Sequence, residues 1–177
     1  WDFTATQQLP LATLEIGGRP RDVVMQAPKN GFFYVIDRST GRLISAEQYA
    51  EQNWAERIDL DTGRPVEIAG MRYEDAPQMV LPGGIGAHAW HPMSYSPQTG
   101  LVYIPAMQVP LVYQDDVSYR RNIGRWNTGV SFLAPPEGVV PGDTPEARRA
   151  YLTSITRGRL VAWDPVAGRE RWAIERS

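Results

Sequence analysis

The sequence predicts an all-β fold built by repeating a strand–turn–strand unit, and three observations predict it. Sixteen glycines and fifteen prolines in 177 residues interrupt the chain about once every six positions, which leaves little room for long helices. Eighteen residues are aromatic, six of them Trp. With the β-branched residues they gather in short runs bounded by Gly, Pro or Asp, as strands do. A five-residue turn ending in glycine recurs at residues 37–41 (DRSTG), 59–63 (DLDTG), 96–100 (SPQTG) and 164–168 (DPVAG).

In chain order, the first clear strand covers 21–27 (RDVVMQA) and is closed by Pro28; the second, 31–37 (GFFYVID), runs into the first turn. The third and fourth are 101–106 (LVYIPA) and 159–164 (RLVAWD). In each turn the Asp or Ser at the first position can accept from backbone N–H groups, and the glycine supplies the positive φ that closes a hairpin. Shifting the chain by 127 residues lays Gly31 on Gly158, Asp37 on Asp164, Gly41 on Gly168 and Arg42 on Arg169. Such repetition marks a propeller or a β-solenoid. Successive turn glycines lie 22, 37 and 68 residues apart, so insertions separate the units. One helix is predicted, with Asp143 as N-cap, Pro145 in the first turn and Glu146 at the capping-box position, leading into 147–155. Residues 107–142 lack periodicity and read as a long surface excursion.

The length suits one ordinary domain or two very small ones. A hydrophobic share of 42% with 21% charged residues is that of a folded chain. The formal charge of −2 offers no footprint for nucleic acid or an anionic membrane, and no apolar run approaches the ~18 residues of a membrane span. With no cysteine, disulfides, thiolate metal sites, thiol catalysis and covalent c-type haem are excluded within this chain. A start at Trp1 without a leader suggests a processed product or a piece of a longer protein. Phosphate-binding glycine loops and the Gly-x-Ser-x-Gly elbow are absent. His88 and His91 sit three apart, but Pro92 and the flanking glycines argue against a metal-binding helix, so they read as packed or hydrogen-bonded histidines. Glu74-Asp75 and Asp115-Asp116 read as solvated pairs. The Arg-aromatic runs Tyr119-Arg120-Arg121 and Arg125-Trp126 lack the net charge of a nucleic-acid platform. No residue is assigned as a metal ligand. Seventeen of the eighteen basic residues are Arg, and Lys29 is the single Lys.

The segment Ala162-Trp-Asp164-Pro-Val-Ala-Gly168-Arg-Glu-Arg-Trp172 resembles the tryptophan-docking motif of the quinoprotein alcohol dehydrogenases, the pyrroloquinoline quinone (PQQ)-dependent family. Three further stretches are similar to that family in the same order: residues 1–7 (WDFTATQ), 27–38 (APKNGFFYVIDR) and 86–105 (GAHAWHPMSYSPQTGLVYIP). The likeness is to its ethanol and quinohaemoprotein types. It implies an eight-bladed β-propeller in which each docking Trp packs between neighbouring blades. At roughly 40–50 residues per blade such a ring needs far more than this length, so residues 1–177 are expected to be a partial propeller domain of a few blades. A long loop insertion is expected at about 107–157, holding the one short helix.

The resemblance also implies chemistry. Asp2 matches the catalytic base that takes the hydroxyl proton of a small primary alcohol, whose hydride passes to the C5 carbonyl carbon of PQQ as the aldehyde forms. Lys29 matches the cofactor-binding residue that hydrogen-bonds the quinone oxygens. Thr4 stands where lanthanide-dependent relatives carry an extra Asp, which favours calcium (Ca2+). Ala89 replaces a family Asn that contacts the cofactor, and it cannot supply that amide. The family's metal ligands, and any haem c domain, would lie outside this chain. A cytochrome c or haem domain would accept the electrons, and the location would be periplasmic. The isolated chain is expected to be inactive and to self-associate through open blade edges. The alternative is a non-catalytic PQQ-like repeat propeller acting as a protein-interaction scaffold, against which the joint presence of Asp2 and Lys29 weighs.

Overall fold

Period-two burial organises the chain into antiparallel sheets. The computed structural model describes residues 1–125, 127–131 and 133–176. β1 (Leu11–Ile16), β2 (Arg19–Gln26), β3 (Phe32–Asp37) and β4 (Leu43–Gln48) form a meander in the order β1-β2-β3-β4. A hairpin of β5 (Ala55–Ile58) and β6 (Pro65–Glu67) follows, then β7 (Gln78–Val80), β8 (Ser94–Ser96), β9 (Leu101–Gln108) and β10 (Leu111–Tyr113). β10 returns to pair with β7. After helix α1 (Pro145–Ser154), strands β11 (Arg157–Asp164) and β12 (Arg169–Arg176) complete a second four-stranded sheet, ordered β12-β11-β9-β8.

The two four-stranded sheets share one core. Val23, Met25, Phe33 and Val35 of the first meet Val102, Ile104, Ala106, Val161 and Trp163 of the second. Trp163 lies across this junction with its ring centroid 5.8 Å from that of Phe33. Phe32, Ala46, Trp54, Ile58, Val80 and Tyr113 form another buried cluster, with Trp1 and Phe3 packed against it.

The 127-residue repeat is real in three dimensions. It lays β3–β4 on β11–β12, in each sheet an edge strand and the strand beside it. Both pairs carry a register shift at the same place, between Val35 and Ile36 and between Ala162 and Trp163. All four recurrent turns form: the glycine N–H bonds back to the carbonyl of Asp37, Asp59, Ser96 or Asp164 at 2.8 to 2.9 Å.

Asp37 makes the fullest of these turns. Its Oδ1 accepts from Ser39 N, Ser39 Oγ and Thr40 N at 3.0, 2.6 and 3.0 Å, while Arg21 Nη1 reaches Oδ2 at 3.2 Å. The Ser39 hydroxyl first, then the Thr40 backbone N–H, hold its carboxyl well below the ordinary range. A depressed folded-state pKa gives stability that is present above the unfolded value, about 3.9, and is lost as pH falls through the folded one. The urea midpoint is therefore expected to drop on acidification below about pH 4. Asp37→Asn should lower the midpoint at neutral pH and flatten that drop; an unchanged acid slope would reject this account.

The helix starts one residue later than the sequence suggests. Its N-cap is Thr144, whose Oγ1 accepts from Ala147 N at 3.1 Å, and Asp143 lies outside it. Pro145 then takes the first helical position, where its missing N–H costs nothing. Nor is 107–157 loop throughout: Met107 and Gln108 finish β9, and Leu111–Tyr113 is β10. The docking-motif Trp172 is 42% exposed, lying on the second sheet's outer face 5.9 Å from Tyr103. Trp163, at 2% exposure, fills the junction between the sheets instead.

Candidate active site

The connection between β2 and β3 is immobilised carbonyl by carbonyl. Ala27 O is met by His88 Nδ1 at 2.7 Å, and Pro28 O accepts from Tyr49 Oη at 2.7 Å. Lys29 O accepts from Ala87 N at 2.8 Å, and Asn30 O from Trp54 Nε1 at 2.9 Å. Four successive carbonyls thus bond to four different residues, leaving the Lys29 side chain as the free arm of a rigid loop. Gly86 lies directly beneath that arm. A Cβ there would stand 2.4 to 2.8 Å from Lys29 Cγ, Cβ and Cα, and its φ of +92° is a second reason for glycine.

Lys29 reaches Asp2. Its Nζ lies 3.3 Å from both the backbone carbonyl and Oδ2 of Asp2. Thr4 Oγ1 donates to the other carboxylate oxygen, Oδ1, at 2.6 Å. The Asp2 side chain is 74% exposed and that of Lys29 only 15%, so a carboxylate open to an incoming molecule sits on a half-sunken cation. The Thr4 hydroxyl, and after it Lys29, hold Asp2 below the usual carboxylate range. Asp2 is therefore ionised and able to accept a proton at neutral pH.

An aromatic floor carries the acid. Trp1, Phe3 and Trp54 touch mutually with centroids 5.0 to 6.0 Å apart, and Arg72 lies 5.2 Å over the Trp1 ring. Tyr113 Oη donates to Trp1 O at 3.0 Å. Burial first, then Tyr73 and Asp2, push its phenol up to about 12, so it stays a donor.

Asp2 and Lys29, distant in sequence, are thus brought together. Thr4 becomes a donor to Asp2, a role invisible in its being merely not Asp. His88 is fully buried with its ring nitrogens facing Ala27 O and His91 O, at 2.7 and 2.8 Å. Among the described residues no three His, Cys, Asp or Glu side chains gather as a metal site. Ala89 is buried. Asp116 serves its own turn, accepting from Ser118 N and Oγ at 3.0 and 2.7 Å. Arg120 bonds the neighbouring Tyr119 carbonyl, while Trp126 lies outside the described residues. Sequence reasoning missed Tyr113 and the glycines at 84 and 86, although the GGIG run at 83–86 hinted at close backbone approach.

No family model matches the chain. It is 49% identical over 174 residues to quinohemoprotein alcohol dehydrogenase ADH IIB of Pseudomonas putida, covering 98% of the chain and 23% of that protein. It is 42% identical over 175 residues to 1-butanol dehydrogenase (cytochrome c) of Thauera butanivorans, covering 99% of the chain and 24% of that protein. The crystal structure of quinohemoprotein alcohol dehydrogenase from Comamonas testosteroni superposes with a TM-score of 0.81 at 41% identity, covering 99% of the chain and 25% of that one. The chain spans about a quarter of the length of the relatives it matches.

Proposed function

We propose that this chain, which belongs to the quinoprotein alcohol dehydrogenase family as a segment of its β-propeller, supplies the proton acceptor and one cofactor contact for oxidation of a primary alcohol to its aldehyde. The observation that carries this reading is the Asp2–Lys29 pair, 3.3 Å apart. PQQ, when bound, would supply the two-electron acceptor for the hydride of the carbinol carbon. Asp2 takes the hydroxyl proton, so proton and hydride leave the alcohol together and the carbonyl forms. The residues fit such a group. Lys29 places an ammonium beside an open carboxylate, where it can donate to a quinone oxygen and favour charge developing there. No calcium ligand is assigned to this chain, and Ca2+ would be held by residues outside it. A cytochrome c or haem domain as electron acceptor, and a periplasmic setting, belong to the same reading. Among the described residues the outer edge of β12 is unpaired, and the strand carries the exposed Trp172 and Ile174, which suits pairing between copies that sedimentation would register as mass rising with concentration.

The test places residues 1–177 in the corresponding stretch of the Comamonas testosteroni enzyme, reconstituted with PQQ and Ca2+. The graft should oxidise ethanol, and the chain alone should not. Lys29→Gln in the graft should weaken PQQ binding about tenfold or more, as expected for loss of a charge-assisted hydrogen bond. Unchanged affinity, or turnover by the chain alone, would overturn the reading.

A further inference from the structure

Asp2 is the only described non-glycine residue with a positive φ, +57°. L side chains seldom adopt this conformation, and it persists only where neighbours enforce it. The φ of Asp2 is set by the plane of the peptide that joins it to Trp1, and the carbonyl of that peptide accepts from Tyr113 Oη at 3.0 Å. On the other side, Lys29 Nζ holds the carbonyl of Asp2 itself at 3.3 Å. The phenol is well fixed. Tyr113 is buried, stacks on Tyr73 with centroids 5.1 Å apart, and lies on β10 in register with Gln78 of β7. Gly84 leaves it room: a Cβ there would stand 3.1 Å from Tyr113 Oη, 3.4 Å from Trp1 O and 3.8 Å from Asp2 Cβ.

We propose that Tyr113 is a positioning residue for Asp2, its hydroxyl pinning the Trp1 carbonyl so that the Asp2 carboxylate points at the Lys29 ammonium. This rests on the reading of Asp2 as the proton acceptor. Without the hydroxyl the peptide is free to rotate toward negative φ, which carries the carboxylate away from Lys29 and from the alcohol. Tyr113→Phe removes one oxygen and keeps the ring stacked on Tyr73. Gly84→Ala crowds the same hydrogen bond from the opposite side, at a position with no positive φ.

The experiment uses the holoenzyme graft and compares Tyr113→Phe, Gly84→Ala, Asp2→Asn and the double variant Tyr113→Phe/Asp2→Asn in steady-state ethanol oxidation. The expected result is a kcat about three- to tenfold lower in both the Tyr113 and Gly84 variants, with KM little changed, as for loss of one aligned hydrogen bond. Tyr113→Phe should cost nothing further once Asp2 is Asn, because it acts through that side chain. If Asp2→Asn is inactive but Tyr113→Phe turns over normally, the positioning role is overturned and the reading of Asp2 stands. Equal losses in both backgrounds would make Tyr113 merely structural and also overturn it. If Asp2→Asn itself retains full turnover, the reading of Asp2 fails first and the positioning role with it.

Discussion

Asp2→Asn in the graft is expected to lower kcat by about 10²–10⁴-fold, the range for removing a positioned general base, with KM changed only a few-fold. Asn has the same shape and keeps an oxygen to accept from Thr4, which now donates to Oδ1 at 2.6 Å. It loses the charge that meets Lys29 at 3.3 Å and the capacity to take a proton. The pH dependence carries a second check. Because Thr4 and Lys29 hold the Asp2 carboxyl below its ordinary value, kcat should sit on its Asp2-dependent plateau through the neutral and mildly acidic range and fall only in acid below the ordinary carboxylate range. A limb at higher pH belongs to another group. Wild-type kcat in Asp2→Asn would remove Asp2 from the chemistry.

Trp163→Ala is expected to destabilise the 177-residue chain by about 3–5 kcal/mol in urea unfolding, the usual cost of truncating a buried aromatic. The side chain is 2% exposed in the core shared by both four-stranded sheets and meets Phe33 at 5.8 Å. Among the described residues its Nε1 has no hydrogen-bond partner, so the loss is one of packing. Trp172→Ala supplies the contrast. That side chain is 42% exposed on the outer face, and its removal should cost within about 1 kcal/mol. Equal losses at the two positions would mean that the sheets are not joined as described.

Local chemistry was the legible part. Four glycine turns and four strands follow from residues within five or six of one another, and they form where the sequence places them. The helix cap was displaced by one residue because Asp143 and Thr144 are both competent caps, and only the position of Pro145 as first helical residue decides between them. The docking-motif Trp172 lies on the outer face of the second sheet, whereas the aromatic joining the two described sheets is Trp163, because residue type does not reveal which strand face meets which sheet. Asp2 and Lys29 came from family resemblance, since no local pattern ties residues 27 apart. Tyr113 was illegible for a related reason: its strand is three residues long, between Pro110 and a polar stretch, and its partner carbonyl lies at Trp1.

The hydrogen bond from Tyr113 to Trp1 closes a span of 112 residues. During synthesis at about 5–20 residues per second, Asp2 precedes its clamp by on the order of ten seconds. The first meander can be complete within that interval, since its four strands end at Gln48. The carboxylate is then within reach of Lys29 on a formed sheet but not yet pinned by Tyr113, and closing so long a loop costs entropy that local pairing does not. The acid is thus set only when β10 docks, and a nascent chain arrested before Tyr113 would carry the Asp without its orientation.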